Sequence, residues 1–305
     1  MVEIDPFLSA LTRRLPRVQA ADYVRTVLQR RYERKYARSP QPWTVIHDFD
    51  GDLHFRINRG VFISSSIYWR GCYSHAELRL FDRFLTPEMI FADIGANQGE
   101  FTIFAAKRLT AGRVLTFEPQ PVLFDLIQEN VRLNGFRNVT VYNLGLSDRD
   151  GEAPLYGPKH EAGEVYDDGL ASMFQCDTRP HKIGTMNLVT FDRVFRESGA
   201  SRLDMMKIDA EGAELHVLRG AQSTIAVHRP TILVEWNKRT FDAAGYSGEQ
   251  CLALLRSVGY EFLVPADRRG TGRSTNPRLV PTDARKLPDF CNILCRHATA
   301  AWDPD

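Results

Sequence analysis

Apolar residues fall into two alternating patterns along much of this chain. Short, nearly continuous apolar runs stand at MIFADIG, RVLTFEP, VTVYNLG, LDMMKID, TILVEW and YEFLVP. Between most of them lie segments with apolar positions three and four apart: FTIFAAKRL, PVLFDLIQENVRLNG, ELHVLRGAQSTI and GEQCLALLRSVG. Consecutive apolar residues are what a strand covered on both faces requires, and the longer spacing is that of a helix with one buried stripe. Repeated strand–helix units predict an α/β, doubly wound, mostly parallel sheet with right-handed crossovers. The alternation runs from about residue 76 to 265. A polar stretch, ADRRGTGRSTNPRLVPTDARKLPDF, then reads as a long loop before one more strand candidate, NILCRH. Residues 76–305 are assigned to this domain.

Residues 1–75 follow another pattern and are read as an N-terminal helix and hairpin extension. A helix is predicted from about Ala20 to Tyr36, ended by Ser39, Pro40 and Pro42. WTVIHDFDGDLHFRINRGVFIS reads as short strands joined at Asp50-Gly51. The helix is rich in arginine, but Asp22 and Glu33 interrupt its charge. That favours a solvated face over contact with phosphates or acidic lipids.

Composition changes this picture little. Of 305 residues, 43% are apolar and 25% charged, and the formal net charge is +1. Those are ordinary values for a globular protein and argue against a large nucleic-acid surface. No apolar run approaches the roughly 18–20 residues of a membrane span, and the N-terminus lacks a signal peptide's long apolar core. The cysteines, Cys72, Cys176, Cys251, Cys291 and Cys295, are odd in number and scattered. They read as small buried hydrophobes, which places the chain in a reducing cytoplasm. A homo-oligomer is left open.

The sharpest chemical signal is Phe91-Ala92-Asp93-Ile94-Gly95-Ala96-Asn97-Gln98-Gly99, leading into a helical run. A strand delivers Asp93, Gly95 permits a close backbone approach, and Gly99 permits close helix–strand packing. Glu118, 25 positions after Asp93, ends the next strand, where a carboxylate can accept both hydrogen bonds of a ribose diol. Dinucleotide sites carry Gly-x-Gly-x-x-Gly, which Ala96-Asn97-Gln98 does not supply. An acid at Asp93 would repel a pyrophosphate, but it suits the cationic aminoacyl half of S-adenosylmethionine. Methyl transfer is therefore preferred to two alternatives, a nicotinamide-dependent oxidoreductase and a catalytically silent binding module.

The sequence resembles the FkbM-type S-adenosylmethionine-dependent methyltransferases from about Tyr73 to Val264. The resemblance rests on FADIGANQGEFT, RVLTFEPQPVLFDLIQENVRLNG, NVTVYNLGLSDRDGEAPLY, Ala171-Ser172-Met173, VTFDRV, LDMMKIDAEGAELHVLRGA and RPTILVEW. It implies the class I methyltransferase fold: a seven-stranded sheet of order 3-2-1-4-5-7-6, with YEFLVP as strand six and NILCRH as an antiparallel strand seven. It implies methylation of a hydroxyl on a sugar, glycolipid or secondary metabolite. It also places Asp93, Gly95, Asn97 and Gly99 around the methionine part of the cofactor, Glu118 on the ribose, and Leu144, Gly145 and Leu146 around the adenine. Glu77 matches an acidic position directed at the cofactor amine, and Ser172 a serine near cofactor or acceptor. Ser147 stands where the family usually has glycine.

The acceptor, a small molecule bearing a hydroxyl, is expected where the strands end. Asp209, Glu211, Glu235 and Asn237 follow strands four and five, and Lys207 lies within strand four. An alcohol needs help to lose its proton, so Asp209 or Glu235 is expected to act as general base, with the other orienting the acceptor. A second reading makes Asp209, Glu235 and Asn237 ligands of Mg²⁺; it is not favoured, and the expected metal set is none. Glu211 is counted with Asp209 and Glu235 among the catalytic candidates, with helix capping an equal alternative for it and a stronger one for Glu214. The insertion YGPKHEAGEVYDDGLASMFQCDTRPHKIGTMN reads as a lid or acceptor wall, with His160 and His181 as minor candidates for proton transfer.

Overall fold

The computed structural model describes residues 5–39, 42–158, 168–266 and 278–300. The chain opens with α1 (Asp5–Arg14) and α2 (Gln19–Ala37), then the hairpin β1 (Trp43–Phe49) and β2 (Leu53–Asn58). The hairpin turns through Asp50 and Gly51, both at positive φ, as a tight turn between twisted strands requires. The strand reading stops short of VFIS, because α3 (Phe62–Arg70) begins there and ends at left-handed Gly71. After α4 (His75–Phe84) come the repeats: β3 (Ile90–Ile94), α5 (Glu100–Arg108), β4 (Arg113–Phe117), α6 (Pro121–Leu133) and β5 (Val139–Tyr142).

The insertion between the third and fourth domain strands forms its own sheet. It is built from β6 (Gly145–Leu146), β7 (Gly151–Gly157) and β8 (His181–Val189), in the order β6-β8-β7, and is followed by α7 (Phe191–Glu197). The main sheet resumes with β9 (Met205–Ile208), α8 (Glu214–Gly220), α9 (Gln222–His228), β10 (Thr231–Asn237), α10 (Lys238–Ala244) and α11 (Glu249–Ser257). It closes with β11 (Tyr260–Pro265), β12 (Leu279–Pro281) and β13 (Phe290–His297). The predicted helix ELHVLRGAQSTI is two helices meeting at Ala221. Gly220 is pressed so close to Ser147 that a Cβ there would lie 2.0 Å from its carbonyl oxygen.

The main sheet runs β12-β11-β13-β10-β9-β3-β4-β5, with β13 antiparallel to both β10 and β11. Seven of these strands follow the predicted class I order. The eighth, β12, pairs antiparallel with β11 inside the stretch expected to be a loop. Three residues are too few to show a period, but Leu279 is buried and anchors the edge.

Alternation along β3 divides the sheet's faces. Ile90, Ala92 and Ile94 join one apolar core, with Met206, Ile208 and Val234. Phe91 joins the other, with Phe81, Phe101 and Leu233. That second core continues through Phe55, Ile67 and Trp69 of the N-terminal elements. Among the described residues no helix is long and apolar enough to cross a membrane. The five cysteines are free, and burial pushes the Cys72 and Cys251 thiols up to about 12, as packed hydrophobes rather than nucleophiles.

Candidate active site

A cavity of about 530 Å³ opens at the carboxyl ends of β3, β4, β9 and β10. Ligands bind at this edge of open α/β sheets, and the volume suits a small molecule. At one end the β3–α5 turn supplies Gly95, Asn97 and Gln98, and the segment after β4 supplies Glu118 and Gln120. Leu144, Gly145 and Leu146 form an apolar wall beside them.

This end is rigid because backbone groups tie it down. The N–H groups of Gly95 and Ala96 donate to the Phe117 carbonyl at 3.0 and 3.1 Å. Asn97, held at a φ of 52°, donates its N–H to Glu118 Oε2 at 2.9 Å, and the Gln120 N–H donates to Glu118 Oε1 at 2.9 Å. Each carboxylate oxygen can accept a further bond. The Asn97 Oδ1 is buried without a hydrogen-bond partner.

Two members of the glycine motif lie behind the wall rather than in it. Asp93 is fully buried on the α5 side of β3 and accepts a 2.6 Å hydrogen bond from Thr102 Oγ1. Burial pushes its carboxyl above the usual value, against the opposing pull of Lys207. Asp93 stands beneath the turn and is not among the residues that line the cavity, and its Oδ1 is buried without a hydrogen-bond partner. Gly99, at a φ of 86°, packs against Ile127 and likewise stays out of the cavity. Gly95 does line it, yet the atom that excludes a side chain there is the Asp209 carbonyl oxygen, 1.8 Å from an ideal Cβ.

The other end is a carboxylate cluster. Lys207, buried on β9, donates to Asp209 Oδ2 at 3.0 Å. Burial alone pulls its ammonium down, but Asp209, Asp93 and Glu235 outweigh this and hold it above the usual lysine value. Glu235, near the end of β10, is 8% exposed, and its Oε2 is buried with no hydrogen-bond partner. Burial, then the charges of Asp209 and Glu211, push its carboxyl well above the ordinary range. Asp209, Glu211 and Glu235 can each offer an oxygen within 4.8 Å of the others. Asn237 and Glu77 also line the cavity, and Glu77 accepts a 2.9 Å bond from Asn292 Nδ2.

The helix capping expected of Glu211 and Glu214 is not what their carboxylates do. Glu214, the first residue of α8, does not cap that helix: its buried carboxylate ties down the preceding loop, accepting from the N–H groups of Ala210 and Gly212 at 2.9 and 3.0 Å. Glu211, left-handed at a φ of 52°, instead turns to the buried Arg179, whose Nη1 lies 3.0 Å from Oε2. Ser172 Oγ donates to the Glu211 carbonyl at 2.7 Å, so the insertion is fastened to the loop carrying Asp209.

The sequence profile described as the methyltransferase FkbM domain matches residues 93–262, more than half of the chain. The chain belongs to the FkbM methyltransferase family. Among curated relatives, methyltransferase sdnD of Sordaria araneosa is 28% identical over 225 residues, 66% of this chain and 82% of that protein. The 31-O-demethyl-FK506 methyltransferase FkbM of Streptomyces tacrolimicus is 25% identical over 256 residues, 75% of this chain and 90% of that one. Among solved structures, methyltransferase FkbM from Methylobacillus flagellatus aligns at a TM-score of 0.44 and 13% identity, covering 91% of this chain and 60% of that longer one.

Family membership selects methyl transfer over the nicotinamide-dependent alternative. Within this FkbM domain several site residues escaped the sequence reading. Asn292 sits directly across from Glu235 in the β10–β13 register, visible only as a polar residue inside an apolar run. Arg179 had no signal at all, since a lone arginine in a polar insertion does not announce burial. Tyr73 and Phe290 line the cavity although both are largely exposed. Of the histidines, His181 is exposed at the start of β8, His216 lies 3.2 Å from Asp148, and His160 falls outside the described residues.

Proposed function

We propose that this FkbM methyltransferase moves the methyl group of S-adenosylmethionine to a hydroxyl of a small-molecule acceptor. The observation that carries the reading is Glu235 Oε2, a buried carboxylate oxygen without a partner, bordering the cavity that the glycine turn also lines.

The residues at the turn fit the cofactor. Glu118 has acceptor capacity for a ribose diol, and the Gly95–Gln98 turn, with the partnerless Asn97 Oδ1, suits the polar methionine part. Leu144, Gly145 and Leu146 give an apolar seat to a purine, and Ser172 closes the wall. Glu77 stands ready for the cofactor's ammonium group. When bound, the cofactor supplies a methyl group already activated on a sulfonium. The protein's remaining tasks are to align the acceptor oxygen and remove its proton.

Glu235 is the general base in this account. Its environment raises its proton affinity toward the operating pH, which is what a base for an alcohol needs. Asp209, paired with Lys207, orients the acceptor, and Glu211 fastens the Arg179 segment over the site. A divalent cation on Asp209, Glu211 and Glu235 is a second reading, supported by their proximity. The base reading is preferred because Lys207 and Arg179 already counter two of those three charges.

The test is a labelled-methyl transfer screen over sugar and polyketide alcohols, run with the wild type, Glu235→Gln and Asp209→Asn. Transfer to oxygen that collapses in Glu235→Gln supports the reading. Transfer to nitrogen or carbon only, or full turnover in both variants, contradicts it.

A further inference from the structure

We infer that the outward face of α1 and α2 docks on an anionic lipid surface. The inference goes beyond the methyl-transfer reading and does not rest on it. Among the described residues fifteen large apolar side chains are exposed, and six of them fall between Phe7 and Val27. Phe7 and Tyr23 are each 72% exposed. Five of the six lie on α1 and α2 and the sixth, Val18, in the connection between them, and a run this dense marks a contact surface rather than scattered surface residues.

Charge on the same helices is one-sided. The exposed charged residues from Asp5 to Ser39 are Arg14, Arg30, Arg31, Arg34, Lys35 and Arg38, with no acid among them. The two acids that dilute the helix charge in the sequence are partly covered and engaged with neighbours. Asp22 pairs with Arg25 at 2.7 Å and lies 3.9 Å from Arg70. Glu33 is half-buried beside Gln29 and Ser65. From Tyr23 onward the exposed positions of α2 are apolar first (Tyr23, Val24 and Val27) and basic afterwards (Arg30, Arg31, Arg34 and Lys35).

That combination selects the partner. Apolar side chains at one end of the face can enter the acyl boundary while arginines further along α2 stay among anionic headgroups. A nucleic acid would satisfy the arginines and leave Phe7, Tyr23 and Val27 in water. A second copy packed by a twofold axis would set basic helix against basic helix. The face also adjoins the cavity rim. Arg17, in the α1–α2 connection, donates to Cys72 Sγ at 2.9 Å, and the next residue, Tyr73, lines the cavity.

Flotation of the full chain with vesicles tests this. Phosphatidylcholine vesicles containing phosphatidylglycerol should carry the protein upward, pure phosphatidylcholine vesicles should not, and raised salt should release it. Arg30→Glu, Arg31→Glu and Arg34→Glu together should abolish flotation, at roughly fivefold per basic side chain lost. Tyr23→Ser with Val27→Ser should weaken it, while Val227→Ser, at an exposed site elsewhere, should leave it intact. These side chains are exposed, so unchanged circular dichroism and melting are expected and show that the variants are folded. No flotation with anionic vesicles at low salt would overturn the inference, as would equal flotation of every variant. Capture of DNA without vesicle binding, or a dimer in light scattering that Val27→Ser dissolves, would overturn it too.

Discussion

The carbonyl oxygen of Asp209 occupies the space that a side chain on Gly95 would need, 1.8 Å from an ideal Cβ. The glycine turn after β3 and the loop after β9 are thus in direct backbone contact, and the N–H of Asp209 also donates to the Ile94 carbonyl at 3.1 Å. The proposed cofactor end and acceptor end of the cavity share one seam. Gly95→Ala must strain a left-handed residue, at about 1–2 kcal/mol, and must also push backbone away from backbone. The expected result is a lower melting temperature and at least about tenfold weaker S-adenosylhomocysteine binding, read by calorimetry. Unchanged binding would mean that the seam is not needed.

Glu235→Gln separates chemistry from stability. Loss of a general base should cut kcat by roughly 10²- to 10⁴-fold, with a small change in acceptor KM. In the wild type, kcat/KM should climb as Glu235 loses its proton, with a midpoint above the usual carboxylate range. Stability should move the other way. A carboxyl whose folded pKa is raised stabilises the protein fully below its ordinary value, and that contribution is lost as pH rises through the raised one. Melting temperature in the wild type should fall across that window, and Glu235→Gln should flatten the fall. A pH–rate limb at an ordinary carboxylate value would remove Glu235 as the base.

The buried Arg179 and the partly exposed Glu211 form an ion pair at 3.0 Å that fastens the insertion to the Asp209 loop. Arg179→Ala removes the cation paired with the partly exposed Glu211 carboxylate, at a cost of about 1–3 kcal/mol. Acceptor KM should rise more than kcat falls, limited proteolysis should cut near residues 168–180, and Arg179→Lys should restore part of both. Equal loss in KM and kcat, without new cleavage, would argue against the fastening role.

Lys207 on Asp209 and Arg179 on Glu211 supply positive charge without a metal. Dialysis against a chelator should leave methyl transfer within about twofold of the untreated rate. Activity lost on chelation and restored by Mg²⁺ would instead support the cation reading of the carboxylate cluster.

The sheet was legible because both of its faces are covered, which writes each strand as an apolar run; β3, β4, β9 and β10 stand where MIFADIG, RVLTFEP, LDMMKID and TILVEW predicted them. What stayed hidden depends on direction, which composition does not encode. Asp93 is one residue from Ala92 and Ile94, yet alternation turns it toward Thr102 and away from the cavity. Asp22 and Glu33 count as neutralising charges in the sequence, while in the fold Asp22 pairs with the buried Arg25 and Glu33 is half-buried, and the most exposed charges of the two helices are basic. The two-residue strand β6 and three-residue strand β12 carry no period at all. Arg179 reaches Glu211 across 32 residues, a contact that only tertiary packing creates.

Calorimetric titration of S-adenosylhomocysteine into the full chain and into Glu118→Ala tests the central claim most directly. The account predicts one-site binding by the wild type and at least about tenfold weaker binding by the variant, which lacks the diol acceptors. Wild-type protein that ignores the nucleoside, or a variant that binds it as tightly, would contradict the account.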